Sequence, residues 1–124
     1  MFVLSNSTMD ALEGEEAVRF RERLVASVRE NFPAKVENMT EQDLQACVAE
    51  GIAKARSYSL TWESAIADFV GLMFDVAPTF DQHPDVYRIL RDERISPNQR
   101  VDSLFRDIDD DVWDAIRNRW DEAS

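Results

Sequence analysis

Apolar side chains recur every third or fourth position along almost the whole chain, and no useful run shows the two-residue period of a strand. That spacing is the strongest constraint on the fold: it puts the apolar residues on one face of successive helices. Phe20, Leu24, Val28 and Phe32 repeat at i+4, with Ala17 and Val25 flanking the stripe, while Arg19, Arg21, Arg23 and Arg29 lie mostly off it. Thr8 is placed to cap this helix, and Asp10, Glu13, Glu15 and Glu16 fill early turns, where the helix dipole favours acids. Gly14 is a weak point inside it. Pro33 ends the element, because the residue before a proline is disfavoured in helical conformation.

A second helix is expected after Thr40, which with Asp43 resembles a capping arrangement, and its apolar face is Leu44, Val48, Ile52 and Ala55. Ala49, Gly51 and Ala53 are small enough to let another helix approach. Arg56–Ser59 breaks the pattern, and Thr61 is the expected cap of a third helix carrying Trp62, Ile66, Phe69, Val70, Met73 and Phe74. That broad aromatic face marks the third helix as central, and Pro78 closes it. Three shorter helices follow. Pro84 suits a first helical position with Val86, Tyr87 and Leu90 inward. Ser96-Pro97-Asn98-Gln99 has the form of a start signal ahead of Val101, Leu104 and Phe105. Asp109-Asp110-Asp111 opens a last amphipathic helix with Val112, Trp113, Ile116 and Trp120.

The expected architecture is therefore an all-α, single-domain helical bundle of about six helices, three longer ones to about residue 77 and three shorter ones after it, within residues 1–124. The content of 3 Gly and 4 Pro argues against collagen-like, low-complexity and turn-dense all-β classes. A single cysteine, Cys47, rules out an internal disulfide, and a single histidine, His83, rules out any site that needs two. No stretch reaches the ~18 apolar residues of a membrane span, and Met1–Ser7 lacks the basic n-region and apolar length of a signal peptide, so a cytoplasmic location is expected.

Charge narrows the partners. With 25 acidic and 14 basic side chains the net charge is -11, and residues 59–124 carry -8 of it. Binding to nucleic acid needs clustered Lys and Arg, and an anionic membrane surface selects for them too, so neither is expected as a partner. A basic protein would be attracted and steered. Arg outnumbers Lys 12 to 2, and its fork suits bidentate pairing with acidic neighbours inside the protein or at an interface.

Three groupings could carry chemistry. Asp81, His83 and Asp85 could approach a metal, but the spacing fits no metal signature, and capping and turn hydrogen bonds explain the two aspartates more simply. Asp107, Asp109, Asp110 and Asp111, with Asp102 and Asp114, lack the glycine and closing glutamate of a calcium loop. They suit a helix N-terminus or, as the rival reading, an acidic face for a basic partner. Cys47 lies by an apolar stripe with no histidine nearby and reads as a buried, inert thiol. Gly-rich phosphate loops and nucleophile elbows are missing from the sequence. Neither a catalytic residue, a metal nor a cofactor is therefore expected.

A set of ordered residues carries a resemblance: Phe20-x-x-Arg23, Phe32-Pro33, Gly51-Ile52-Ala53-Lys54-Ala55 with Tyr58, then Glu63, Phe69, Leu72-Met73, Phe80-Asp81 with Pro84, Ile89-Leu90 with Asp92, and Arg100. Over about residues 20–104 the chain resembles a family of small, all-helical proteins of Gram-negative bacteria associated with genes for type VI secretion components and their effectors. It departs at Tyr58-Ser59, where the family often has Tyr-Gly, and in the acidic, Trp-bearing segment 109–122. The resemblance implies a non-enzymatic accessory protein that binds a secreted effector or a delivery component. An adaptor or chaperone role is favoured, with an immunity protein neutralising a cognate toxin as the alternative. The expected partner contacts are Asp107, Asp109, Asp110, Asp111, Trp113, Asp114, Arg117 and Trp120, although core packing competes for Trp113 and, equally, for Trp120. A metal-dependent enzyme centred on Asp81, His83 and Asp85, and a mimic of DNA, are the remaining readings of the same residues and charge.

Overall fold

The computed structural model describes residues 14–123, with side chains as far as Trp120. The expected cap Thr8 and the acids Asp10 and Glu13 lie outside the described residues. Among the described residues seven α-helices follow one another: α1 (Gly14–Asn31), α2 (Pro33–Val36), α3 (Glu41–Ser57), α4 (Glu63–Asp75), α5 (Pro84–Leu90), α6 (Arg100–Asp107) and α7 (Asp110–Ala123), with single 3-10 turns at Phe80–Gln82 and Pro97–Gln99. Among the described residues there is no strand, and the fold is all-α.

Helix α1 buries Phe20, Leu24, Val25 and Val28, the face read from the sequence. Pro33 ends it and then opens the one-turn α2, since a proline is tolerated at a first helical position, where no amide partner is needed. Thr40 caps α3 by accepting the Asp43 amide at 3.0 Å. The end of α3 is a Schellman motif: the Ser59 amide reaches Arg56 O at 2.9 Å and the Leu60 amide reaches Ala55 O at 3.3 Å, with Ala55 and Leu60 both buried. The turn needs a left-handed residue, and Ser59 supplies it at φ 70°.

Two expected caps are replaced. Trp62, not Thr61, occupies the cap position of α4. Asn98 closes that helix end from a distance: its Oδ1 accepts the amides of Thr61 and Trp62, both at 2.8 Å, and its Nδ2 donates to Thr61 Oγ1 at 2.9 Å. Ser96 makes no side-chain cap, and its segment begins as a 3-10 turn that passes into α6. Asn98, one position inside the Ser96–Gln99 signal, is drawn across to α4.

Helix α4 packs against α1, α3 and α6 and is central, as its aromatic face implied. The close approach of α3 falls at Gly51, where a β-carbon would meet Met73 Sδ at 2.9 Å and Val70 Cγ2 at 3.2 Å. An aromatic chain runs through the interior from α3 to α7. Tyr58 packs on Phe69 (ring centroids 5.8 Å apart), Phe69 on Phe80 (5.0 Å) and Phe80 on Trp113 (6.4 Å). Two apolar residues on expected inward stripes, Phe105 (54% exposed) and Tyr87, do not stay inside, and Trp62 at its helix start is exposed. Tyr87 keeps one edge on Tyr58 and has Arg91 over its face. Phe105 lies beside Leu104 on a short helix, and it falls at the rim where α1 and α4 leave a groove uncovered.

Candidate interaction surface

Among the described residues the most buried charge is Asp81, 1% exposed, on the 3-10 turn after α4. Its Oδ1 accepts Lys54 Nζ at 2.9 Å, and its Oδ2 accepts Tyr58 O–H at 2.7 Å and Gln82 Nε2 at 2.9 Å. Lys54 also donates to Pro78 O at 3.1 Å. Burial, then the hydrogen bond and charge of Asp81, push the Tyr58 phenol well above its usual range, so it stays protonated and donates. Asp81 is thus a buried tie between α3 and the turn, not the capping aspartate its sequence context suggested.

Its neighbours in the sequence go elsewhere. His83 Nδ1 accepts the Asp85 amide at 3.1 Å and so caps α5, while the Asp85 carboxylate lies 3.5 Å from Arg88. Asp81, His83 and Asp85 therefore have separate partners. Among the described residues no group of three His, Cys, Asp or Glu side chains is gathered as a metal site. Cys47 is half-buried and lines a hollow of about 250 Å³ with Met39, Met73, Phe74 and Trp120. Partial burial, then the carboxylates of Glu50 and Asp43, push its thiol up and keep it protonated.

The residues expected to meet a partner divide into two sets along α7. Trp113, Ile116 and Trp120 share one stripe, and the first two are core. Trp113, 7% exposed and packed on Phe80, is unavailable as a contact, and burial in the aromatic chain is the physical reason. Trp120 is 39% exposed and stands between two hollows, the one beside Cys47 and one lined by His83, Pro84, Ile116 and Arg119. Asp109, Asp110 and Asp111 are exposed, and among the described residues none of them forms an ion pair. Asp107 pairs with Arg106 at 3.3 Å. Arg117 works inward: Nη1 meets Asp114 at 3.0 Å, Nη2 meets the Asp75 carboxylate at 3.2 Å, and Nε donates to Asp75 O at 3.2 Å. It fastens α7 to the end of α4 and carries the acidic surface from Asp114 to Asp75.

Most other arginines near acids are similarly engaged, as the Arg-rich composition implied. Arg23 pairs with Glu63, Arg29 with Glu41, and Arg94 with Asp92. The Arg94 contacts hold the Asp92 carboxyl down at about 2. Buried Arg100 donates to three backbone oxygens, those of Leu90, Asp92 and Ile95, closing the end of α5.

A feature not expected from the sequence lies between α1, α4 and α6. A groove of about 460 Å³ has Leu24, Val28 and Leu72 in its walls, Gly71 facing open space, Asp68 and Asp75 along α4, and Phe105 at its rim. Partial desolvation, then the charge of nearby Asp102, push the Asp68 carboxyl up. Among the described residues neither Asp68 nor Asp102 forms an ion pair. The available sequence signal was the small pair Ala67 and Gly71, one turn apart on the central helix.

Among the described residues no helix is long and apolar enough to cross a membrane. No protein-family model matches the chain, and no curated protein or solved structure matches it.

Proposed function

We propose that this protein is a non-enzymatic accessory protein of the bacterial cytoplasm that binds a basic protein partner, acting as adaptor or chaperone for a type VI secretion effector. The observation that carries the reading is the exposed trio Asp109, Asp110 and Asp111, which lacks cations of its own among the described residues while most nearby Arg–acid pairs are satisfied internally. Uncompensated surface charge of one sign steers a partner of the other and discriminates against like-charged competitors. Trp120, exposed farther along the same helix, adds an amphipathic aromatic of the kind enriched at interfaces. The link to secretion comes from the family resemblance over residues 20–104.

The test is co-purification of the tagged protein from its native cells, with mass spectrometry of what stays bound, beside a variant carrying Asp109→Lys, Asp110→Lys and Asp111→Lys. A stoichiometric basic effector or secretion component that the wild type retains and the variant releases is the expected result. Retention by both would remove the acidic trio from the interface. Killing of cells that lack this protein by the captured partner would replace the adaptor role with immunity.

A further inference from the structure

The groove between α1, α4 and α6 combines three properties that the molecule does not use internally. Its walls are apolar, through Leu24, Val28 and Leu72, yet none of the described elements covers it, and Phe105 at its rim is, among the described residues, the most exposed large apolar side chain. A backbone can come close, because Gly71 presents no side chain and a β-carbon built there meets nothing within 4 Å. Its lining charge is of one sign: its charged side chains are Asp68 and Asp75, Asp68 forms no ion pair among the described residues and feels the charge of Asp102, and Arg117 joins Asp75 to Asp114 of the acidic surface of α7.

We propose that this groove receives a cationic amphipathic helix of the protein partner, its apolar stripe on Phe105 and the groove walls and an arginine on Asp68. The proposal rests on the reading of the protein as a binder of basic partners and deepens it by naming the anchor. The Asp68 carboxylate is partly desolvated and repelled by the charge of Asp102, and an entering guanidinium relieves that repulsion while gaining charge-assisted contacts. A neutral apolar helix would leave that carboxylate uncompensated, and an acidic one would add to the repulsion. Size agrees: α4 rises about 12 Å from Ala67 to Asp75, so a helical segment of about two turns spans the groove, with anchors at the i, i+3, i+4 and i+7 spacing of helix-in-groove recognition.

The probe is a fluorescein-labelled helical peptide of about 14 residues, with leucines at that spacing and arginines beside them, read by fluorescence anisotropy against the full chain. A peptide with citrulline in place of arginine keeps the shape and removes the charge. Expected are saturable one-to-one binding, at least tenfold weaker affinity for the citrulline peptide, and a similar loss in Gly71→Met, Phe105→Ala and the double variant Asp68→Asn/Asp102→Asn. Gly71→Met fills the groove while replacing a poor helix former with a good one, so circular dichroism should show the fold kept. Neutralising Asp109, Asp110 and Asp111 to asparagine should change peptide affinity less than twofold.

Equal binding by wild type and Gly71→Met, or a loss as large in the Asp109–Asp111 variant as in the groove variants, would overturn the proposal in favour of unspecific charge attraction. The captured native partner separates the two interfaces. Release by Gly71→Met alone supports the groove and removes the trio, whereas release by the charge-reversed trio alone does the reverse.

Discussion

Asp81 and Asp68 are the same side chain in opposite circumstances. The first is sealed inside and receives Lys54, Tyr58 and Gln82; the second stands at the edge of a groove, faces the charge of Asp102 and has no ion pair among the described residues. Around Asp81 every group is matched: the lysine has Pro78 O as a second acceptor, and the tyrosine ring begins the aromatic chain that ends on Trp113. Around Asp68 none of the described elements covers the apolar walls, the helix lacks a side chain at Gly71, and Phe105 faces out. A region that satisfies itself holds the fold together. One that leaves charge and apolar surface unmatched at the same place is arranged for something outside the chain.

The contrast can be broken most forcibly from the inside. Asp81→Ala strands the Lys54 ammonium and the Tyr58 hydroxyl and should lower stability by about 3 kcal/mol in urea denaturation. Asp81→Asn, which still accepts from Tyr58, should lose less. Asn98→Ala removes the acceptor for two amides at the start of α4 and should cost about 1–2 kcal/mol, with increased amide exchange at Thr61 and Trp62 as the local signature. On the groove side, Phe105→Ala should change the unfolding midpoint by less than about 0.5 kcal/mol equivalent, although truncating a core phenylalanine costs about 3–5 kcal/mol. A loss in the core range would mean that Phe105 belongs to the interior.

The smallest effect is also the most diagnostic. The folded state raises the Asp68 pKa, so folding is penalised while this carboxylate is ionised, and the penalty is relieved as pH falls through the raised value toward the ordinary 3.8. Asp68→Asn should therefore slightly raise the melting temperature at pH 7, and the gain should vanish below about pH 4. A destabilised Asp68→Asn at neutral pH would show that the carboxylate is compensated after all.

Much of the helical layout was legible because it depends on neighbours in the sequence. The i+4 stripe of α1, the Thr40 cap, the stop at Pro33 and the small residue at Gly51 all act over a few positions. What was illegible acts over long separations. Nothing near Asp81 announces that Lys54 and Tyr58, 27 and 23 positions earlier, will surround it. Asn98 looked like part of a local start signal, yet its amide serves a helix end 37 positions back. On α7 the stripe of Trp113, Ile116 and Trp120 was visible, but periodicity cannot show that the aromatic chain claims Trp113 and leaves Trp120 partly exposed. Phe105 differs for a related reason: it sits at a normal inward spacing, but none of the described helices covers it.

The reach of Asn98 has a consequence for how the protein is made. Synthesis proceeds at roughly 5–20 residues per second, so the start of α4 is joined to the chain about 2–7 s before the asparagine that closes its first turn. Lys54 must similarly wait for Asp81. Helices α3 and α4 are therefore made before their final fastenings, which arrive only with the acidic second half of the chain.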